Sequence, residues 1–153
     1  MDVLTANGDN ADYTPFAKHY HGVRVYLNNG ENHFVEAVFY PLNGAYKALP
    51  VDFDADGDLD IAAISFFPDY EKAPEESFVY LENEGDMAFV AWTFLAATDA
   101  RWLTMDAGDI DGDGDEDIVL GAFVRGASNV PPALEKRWQR EATSLLILRN
   151  KHF

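Results

Sequence analysis

Residues 109–117 read DIDGDGDED, six carboxylates in nine positions with glycines between them. Carboxylates a few ångströms apart repel, at about 1 kcal/mol per close pair even in water. A solvated loop relieves that repulsion by splaying, whereas a folded turn needs a cation inside it. Asp109, Asp111, Asp113 and Asp117 stand at positions 1, 3, 5 and 9 of the stretch, with Gly114 at position 6. A tight turn sets alternate side chains on its concave side, and the glycine permits the chain to reverse at positive φ. Hard oxygen donors in this pattern suit Ca²⁺, which takes six to eight oxygens in a flexible shell. Asp115, at position 7, then offers its backbone carbonyl and turns its side chain to water. Standing alone, the stretch reads equally well as an exposed acidic turn.

A second copy decides between the two. Residues 52–60 read DFDADGDLD and place Asp52, Asp54, Asp56, Gly57 and Asp60 at the same offsets, with Asp58 at position 7. Both turns run into apolar stretches, DIAAISFF from Asp60 and DIVLGAF from Asp117. Independent turns rarely repeat ligand positions, glycine and following strand together, so two Ca²⁺ sites are expected. An EF-hand does not fit. Its bidentate Glu at position 12 would fall on Leu120 or Ala63, and the departing chains are rich in strand-forming residues.

The elements that must hold these turns follow from a wider repeat. GVRVYLNNGENHF (22–34), SFVYLENEGDMAF (77–89) and SLLILRNKHF (144–153) align at Leu27, Leu81 and Leu148 and at Asn29, Asn83 and Asn150. Each is an alternating strand running into an Asn/Gly turn, a hairpin signal. The opening MDVLTANG matches the strands after the two Asp turns, which makes Asp2 the counterpart of Asp60 and Asp117. The middle copy therefore predicts four strands, about 46–51, 60–67, 77–82 and 87–95, with the Asp turn between the first two. Four antiparallel strands recurring about every 55 residues are the sign of a β-propeller blade. The expected fold is all-β, a propeller fragment of about three four-stranded antiparallel blades: a partial blade over 1–45, a complete one over 46–95 and a partial one over 101–153.

The pattern D-x-D-x-D-G-D-x-D-I/V, followed by L-x-N and a turn, resembles the FG-GAP/VCBS-type repeat, the calcium-binding blade of integrin α-subunit-like propellers. The resemblance covers nearly the whole chain. It implies side-chain ligation by Asp52, Asp54, Asp56 and Asp60 in one turn and by Asp109, Asp111, Asp113 and Asp117 in the other. Asp58 and Asp115 would ligate through backbone oxygen, and Asp2 keeps only the last ligand position. It also implies a secreted or cell-surface binding or scaffold module. The first copy lacks its first strand and the last stops where its fourth would begin, so remaining blades of a longer chain, or neighbouring subunits, are expected to cover the open ends.

Composition narrows the partners. The chain has 153 residues, 48% of them hydrophobic and 14% aromatic, enough for a real core. A formal charge of −16, or −12 with two Ca²⁺ bound, disfavours nucleic acid and anionic membranes. No run of about 18 apolar residues predicts membrane insertion. The absence of cysteine excludes disulfides and thiolate metal sites.

In a propeller the loops joining second to third strands share the face opposite the Asp turns. Here they are long and unlike one another, at about 8–21, 68–76 and 124–143. Variable loops on a repeated scaffold are where binding usually resides, so Tyr13, Tyr20, Tyr70, Arg125 and Trp138 are the candidate partner contacts. Packing of the loop onto its blade is the competing role for these aromatics, and Trp138 is expected to anchor a short helix that starts at the Pro pair of PPALEKRWQREA. His19 and His21 offer two zinc donors with no third in sight. Trp92 and Trp102 are expected in the core between blades. No nucleophile elbow, P-loop or His-Glu zinc helix is present, so the chain is not read as an enzyme. The leading function is a calcium-stabilised extracellular module for adhesion, assembly or scaffolding, with a protein or glycan ligand. The alternatives are a lectin-like propeller and a non-catalytic part of a secreted polysaccharide-active enzyme.

Overall fold

The computed structural model describes residues 1–8, 18–124 and 130–151. Their strands form three antiparallel sheets. The first contains β1 (Val3–Asn7), β2 (Gly22–Asn28) and β3 (Phe34–Pro41). The second contains β4 (Ala45–Val51), β5 (Asp60–Ser65), β6 (Phe78–Asn83) and β7 (Phe89–Trp92). The third contains β8 (Trp102–Gly108), β9 (Asp117–Ala122) and β10 (Leu145–Leu148). In every sheet, strands consecutive in sequence are neighbours. Open sheets in this up-and-down order fit a propeller fragment, as the repeat predicts.

The middle sheet shows why the strand after an Asp turn is a continuous apolar run. All six residues of β5 are buried. Alternate side chains point to opposite faces of a strand, and both faces are covered here. Ala62 and Ile64 join a core with Phe53, Phe78, Trp102, Met105, Ile118 and Leu120, between the second and third sheets. Ile61 and Ala63 join Val23, Leu42, Val79 and Leu81 in a second core, between the second and first sheets. A one-residue slip of β5 against β6 would exchange these two sets, so the Ile61–Leu81 and Ala63–Val79 register is held from both sides. Strand β4 packs against β1 of the first sheet and against β8 of the third.

Two features depart from the sequence reading. The last strand of the middle sheet is shorter than 87–95, because Asp86 and Met87 both sit at positive φ (52° and 60°) and belong to the turn. Trp102 is fully buried as expected, but Trp92 is 56% exposed. It occupies the outer edge strand of its sheet, where its indole donates to Glu82 Oε2 at 2.7 Å. Strand periodicity places a side chain on a face, but only the neighbouring sheet determines whether that face is covered.

The expected helix forms as α1 (Pro132–Glu141), with proline in its first turn and left-handed Ala142 just beyond its end. Trp138 fixes it to the turn before β8: the residue is 1% exposed and its indole donates to Thr98 O at 2.9 Å.

Candidate metal centres

Each Asp turn joins the first strand of a sheet to the second, β4 to β5 and β8 to β9. In the first turn, ligand oxygens of Asp52, Asp54 and Asp56 all lie within 4.8 Å of one another, and Asp109, Asp111 and Asp113 do the same in the second. The two backbones follow the same path. Gly57 and Gly114, at position 6, have φ of 98° and 100°. Position 4 is also left-handed, at Ala55 (φ 58°) in one turn and Gly112 (φ 82°) in the other. This second reversal escaped the sequence reading because an alanine hides it in the first copy.

Position-1 and position-5 carboxylates organise the loop from inside. Asp52 Oδ2 accepts from Gly57 N at 3.1 Å, and Asp109 Oδ2 accepts from Gly114 N at the same distance. Asp56 Oδ1 accepts from Asp58 N at 2.8 Å, and Asp113 Oδ1 from Asp115 N at 3.1 Å. These bonds aim the carboxylates inward and leave further lone pairs for a ligand.

The position-9 residues have a different setting. Asp60 and Asp117 are fully buried and lie outside both triads. Asp60 Oδ2 accepts from Phe53 N (3.1 Å) and the Tyr80 hydroxyl (2.7 Å), and Oδ1 accepts from Asn83 N (2.8 Å). Asp117 accepts from Ile110 N (3.1 Å) and Asn150 N (2.9 Å). Asp2 accepts from Asn28 N at 2.9 Å. In all three copies this aspartate ties the start of one strand to the hairpin end of the next; in the first copy the bonded residue is Asn28, one before the Asn29 of the sequence alignment, because Val3 pairs with Tyr26 rather than Leu27. Burial, followed by the bond to Asp60, pushes the Tyr80 phenol well above its ordinary pKa.

The triads carry electrostatic stress. Loss of surrounding water pushes the Asp54 carboxyl above its ordinary value, with the charges of Asp60, Asp56 and Asp52 adding to it. Asp111 is pushed the same way by lost water and by Asp113 and Asp117, while Arg149 opposes. Arg149 Nη1 stands 3.3 Å from Asp111 Oδ2. An all-oxygen donor set under mutual repulsion fits a hard cation, so either triad could hold a metal ion. A family model described as an FG-GAP-like repeat matches residues 52–120. The chain carries an FG-GAP-like repeat. The matched stretch opens on Asp52, the first residue of one turn, and closes at Leu120, inside the strand that follows the other. No match is found among curated proteins or among solved structures.

The other sequence candidates belong in sequence to the connections from β1 to β2, β5 to β6 and β9 to β10. Tyr13 and Arg125 fall outside the described residues. Tyr20 is 59% exposed. Tyr70 and Trp138 are buried against each other, ring centres 5.5 Å apart in an edge-to-face pair, so they do the packing work of their loops. His21 is buried, with Nδ1 accepting from Gly44 N at 3.2 Å, and so is not paired with His19 on an open face.

Proposed function

We propose that each Asp turn binds one Ca²⁺ and that the protein is a calcium-stabilised, non-catalytic module for adhesion, assembly or scaffolding outside the cell. The observation that carries this reading is the recurrence of one turn: two separate stretches share left-handed positions 4 and 6 and converge three carboxylates each. Side-chain oxygens of positions 1, 3 and 5 form the first half of each coordination shell. Backbone oxygens of Asp58 and Asp115 extend it, and Asp60 and Asp117 contribute through the lone pairs that their hydrogen bonds leave. Turns of this kind suit compartments where Ca²⁺ is plentiful, which supports an extracellular setting. No helix among the described residues is long and apolar enough to cross a membrane.

Calorimetric titration of the desalted protein should find two Ca²⁺ per chain. No heat of binding, with no metal by elemental analysis, would refute the reading.

A second reading, glycan binding, is favoured by a groove of about 420 Å³ between the second and third sheets. Tyr80, Trp92, Phe94 and Arg149 line it, and the Glu82 carboxylate both lines it and holds the exposed Trp92 indole in place. An exposed tryptophan held beside a carboxylate is suited to stacking on a sugar ring while the carboxylate accepts from its hydroxyls. Glycan binding lost on Trp92→Ala but kept on Tyr20→Ala would place the ligand here; the reverse would move it to the loop face.

A further inference from the structure

The groove of about 420 Å³ between the second and third sheets has an uneven polar lining. Its charged side chains are the carboxylates of Asp54, Glu82 and Glu116 and one guanidinium, that of Arg149. Arg149 Nη1 is paired with Asp111 Oδ2 at 3.3 Å, so its charge is directed to the second Asp turn. The other donors along the groove are also engaged within the protein. The Tyr80 hydroxyl donates to Asp60 Oδ2 at 2.7 Å, the Thr93 hydroxyl to Phe78 O at 2.8 Å and the Trp92 indole to Glu82 Oε2 at 2.7 Å. The Asn150 side-chain amide donates to Phe53 O.

What the groove leaves open are acceptors. Asp54 belongs to the first metal triad. Glu82 uses one oxygen on the indole and keeps the other. Glu116 is exposed and has no ion pair among the described residues. An N-acetyl carbonyl or a uronate carboxylate would have to compete for donors already engaged, and the uronate would also be repelled. A neutral hydroxyl can donate here, but only weakly. An ammonium has three donors and no acceptor, and its bond to a carboxylate is about twice as strong as a neutral one. Beside an indole it also gains from the negative face of the ring.

We propose that this groove selects a saccharide bearing a protonated primary amine. The sugar ring stacks on Trp92, the ammonium pairs with Glu82, and Glu116 adds to the local negative potential. The inference rests on the glycan reading of the groove and names its ligand class. Glu82 then does two things with one carboxylate: it fixes the indole and receives the amine.

The test is calorimetric titration of the full chain, at constant Ca²⁺ and at a pH that keeps the amine protonated, with three trisaccharides: β-1,4-linked glucosamine, its N-acetylated form and its neutral glucose counterpart. The glucosamine form should bind at least about tenfold tighter than either of the others, as one hydrogen bond to a charged group allows. That advantage should shrink as salt is raised. Glu82→Gln keeps an oxygen for the Trp92 indole and removes the charge, so it should reduce the advantage, and the double variant with Glu116→Gln should abolish it. Trp92→Ala should abolish binding of all three. Equal binding of the three would overturn the amine selectivity and leave the glycan reading standing. No binding of any at millimolar ligand would overturn both. An advantage that survives in the double variant would reflect only general attraction to a chain of formal charge −16, and would overturn the proposal.

Discussion

At the scale of single residues, the Asp turns depend on backbone conformation as much as on charge. A Cβ added at Gly57 or Gly114 would meet nothing within 4 Å, so substitution there tests φ alone. Gly57→Ala and Gly114→Ala should each cost about 1–2 kcal/mol by denaturant unfolding, whereas Ala55→Gly should be neutral or stabilise by up to about 1 kcal/mol. A loss on Ala55→Gly would mean that φ strain at position 4 is not what that residue contributes. Asp60→Ala should cost more, about 3 kcal/mol or above, because two backbone N–H groups and the Tyr80 hydroxyl lose their acceptor together. Protonation adds a further check. Asp54 and Asp111 have raised folded pKa values, so in metal-free protein their contribution to stability is fully present below the unfolded carboxylate pKa and is lost as pH rises through their folded values. Acidifying chelated protein from neutrality only as far as Asp54 and Asp111 titrate should therefore raise its melting temperature, and acidifying calcium-saturated protein should lower it as protons displace the metal.

At the scale of elements, the two turns share one backbone path but not one neighbourhood. Arg149, just beyond β10, approaches Asp111, while the corresponding position before Asn83 is Glu82, which is engaged by Trp92. Arg149 therefore competes with a cation at 109–117, and no ion pair among the described residues does the same at 52–60. Arg149→Gln should tighten Ca²⁺ binding at the second turn by about fivefold, the equivalent of ~1 kcal/mol for one screened charge, without affecting the first. Asp111→Ala should weaken the second turn alone, which calorimetry would read as loss of one of two sites. Helix α1 rests on a different support. Trp138→Ala should cost about 3–5 kcal/mol and free the helix, accelerating tryptic cleavage at Lys136, Arg137 and Arg140. Unchanged proteolysis would show that the Arg137 contacts to Thr98 and Asp99 hold the helix without the indole.

For the whole molecule, the Asp turns link inner strands whose side chains build both inter-sheet cores, so metal removal should reach beyond the loops. Excess chelator should lower the melting temperature by several degrees at least, and an unchanged curve would confine the turns to a local role. The outer edge of β10, which no described strand pairs, raises a second expectation. Leu145 and Ile147 on β10 are 58% and 39% exposed, and unpaired edges of this kind template association. Sedimentation should show self-association above micromolar concentration, and a stable 17 kDa monomer would show that this edge is adequately protected in solution.

The sequence by itself determined the blade pattern, the position of both turns and the convergence of Asp52, Asp54, Asp56 and of Asp109, Asp111, Asp113, because these depend on spacing along one short stretch. The bounds of β4, β5 and β6 were legible for the same reason, since alternation, turn residues and repeat phase are local and agree with one another, whereas β7 is shorter than expected because Asp86 and Met87 take positive φ. What depended on a second sheet was not legible. Trp92 and Trp102 both read as strand tryptophans, yet one is exposed at an outer edge and the other is buried between sheets. The position-9 aspartates read as ligands like the others, and only the fold shows that their carboxylates join two strands across 23 and 33 residues. Arg101 gave no local signal at all. Its burial over Phe66, with both terminal nitrogens unpartnered among the described residues, comes from contacts with segments distant in sequence, and packing between distant segments decides which polar groups are satisfied.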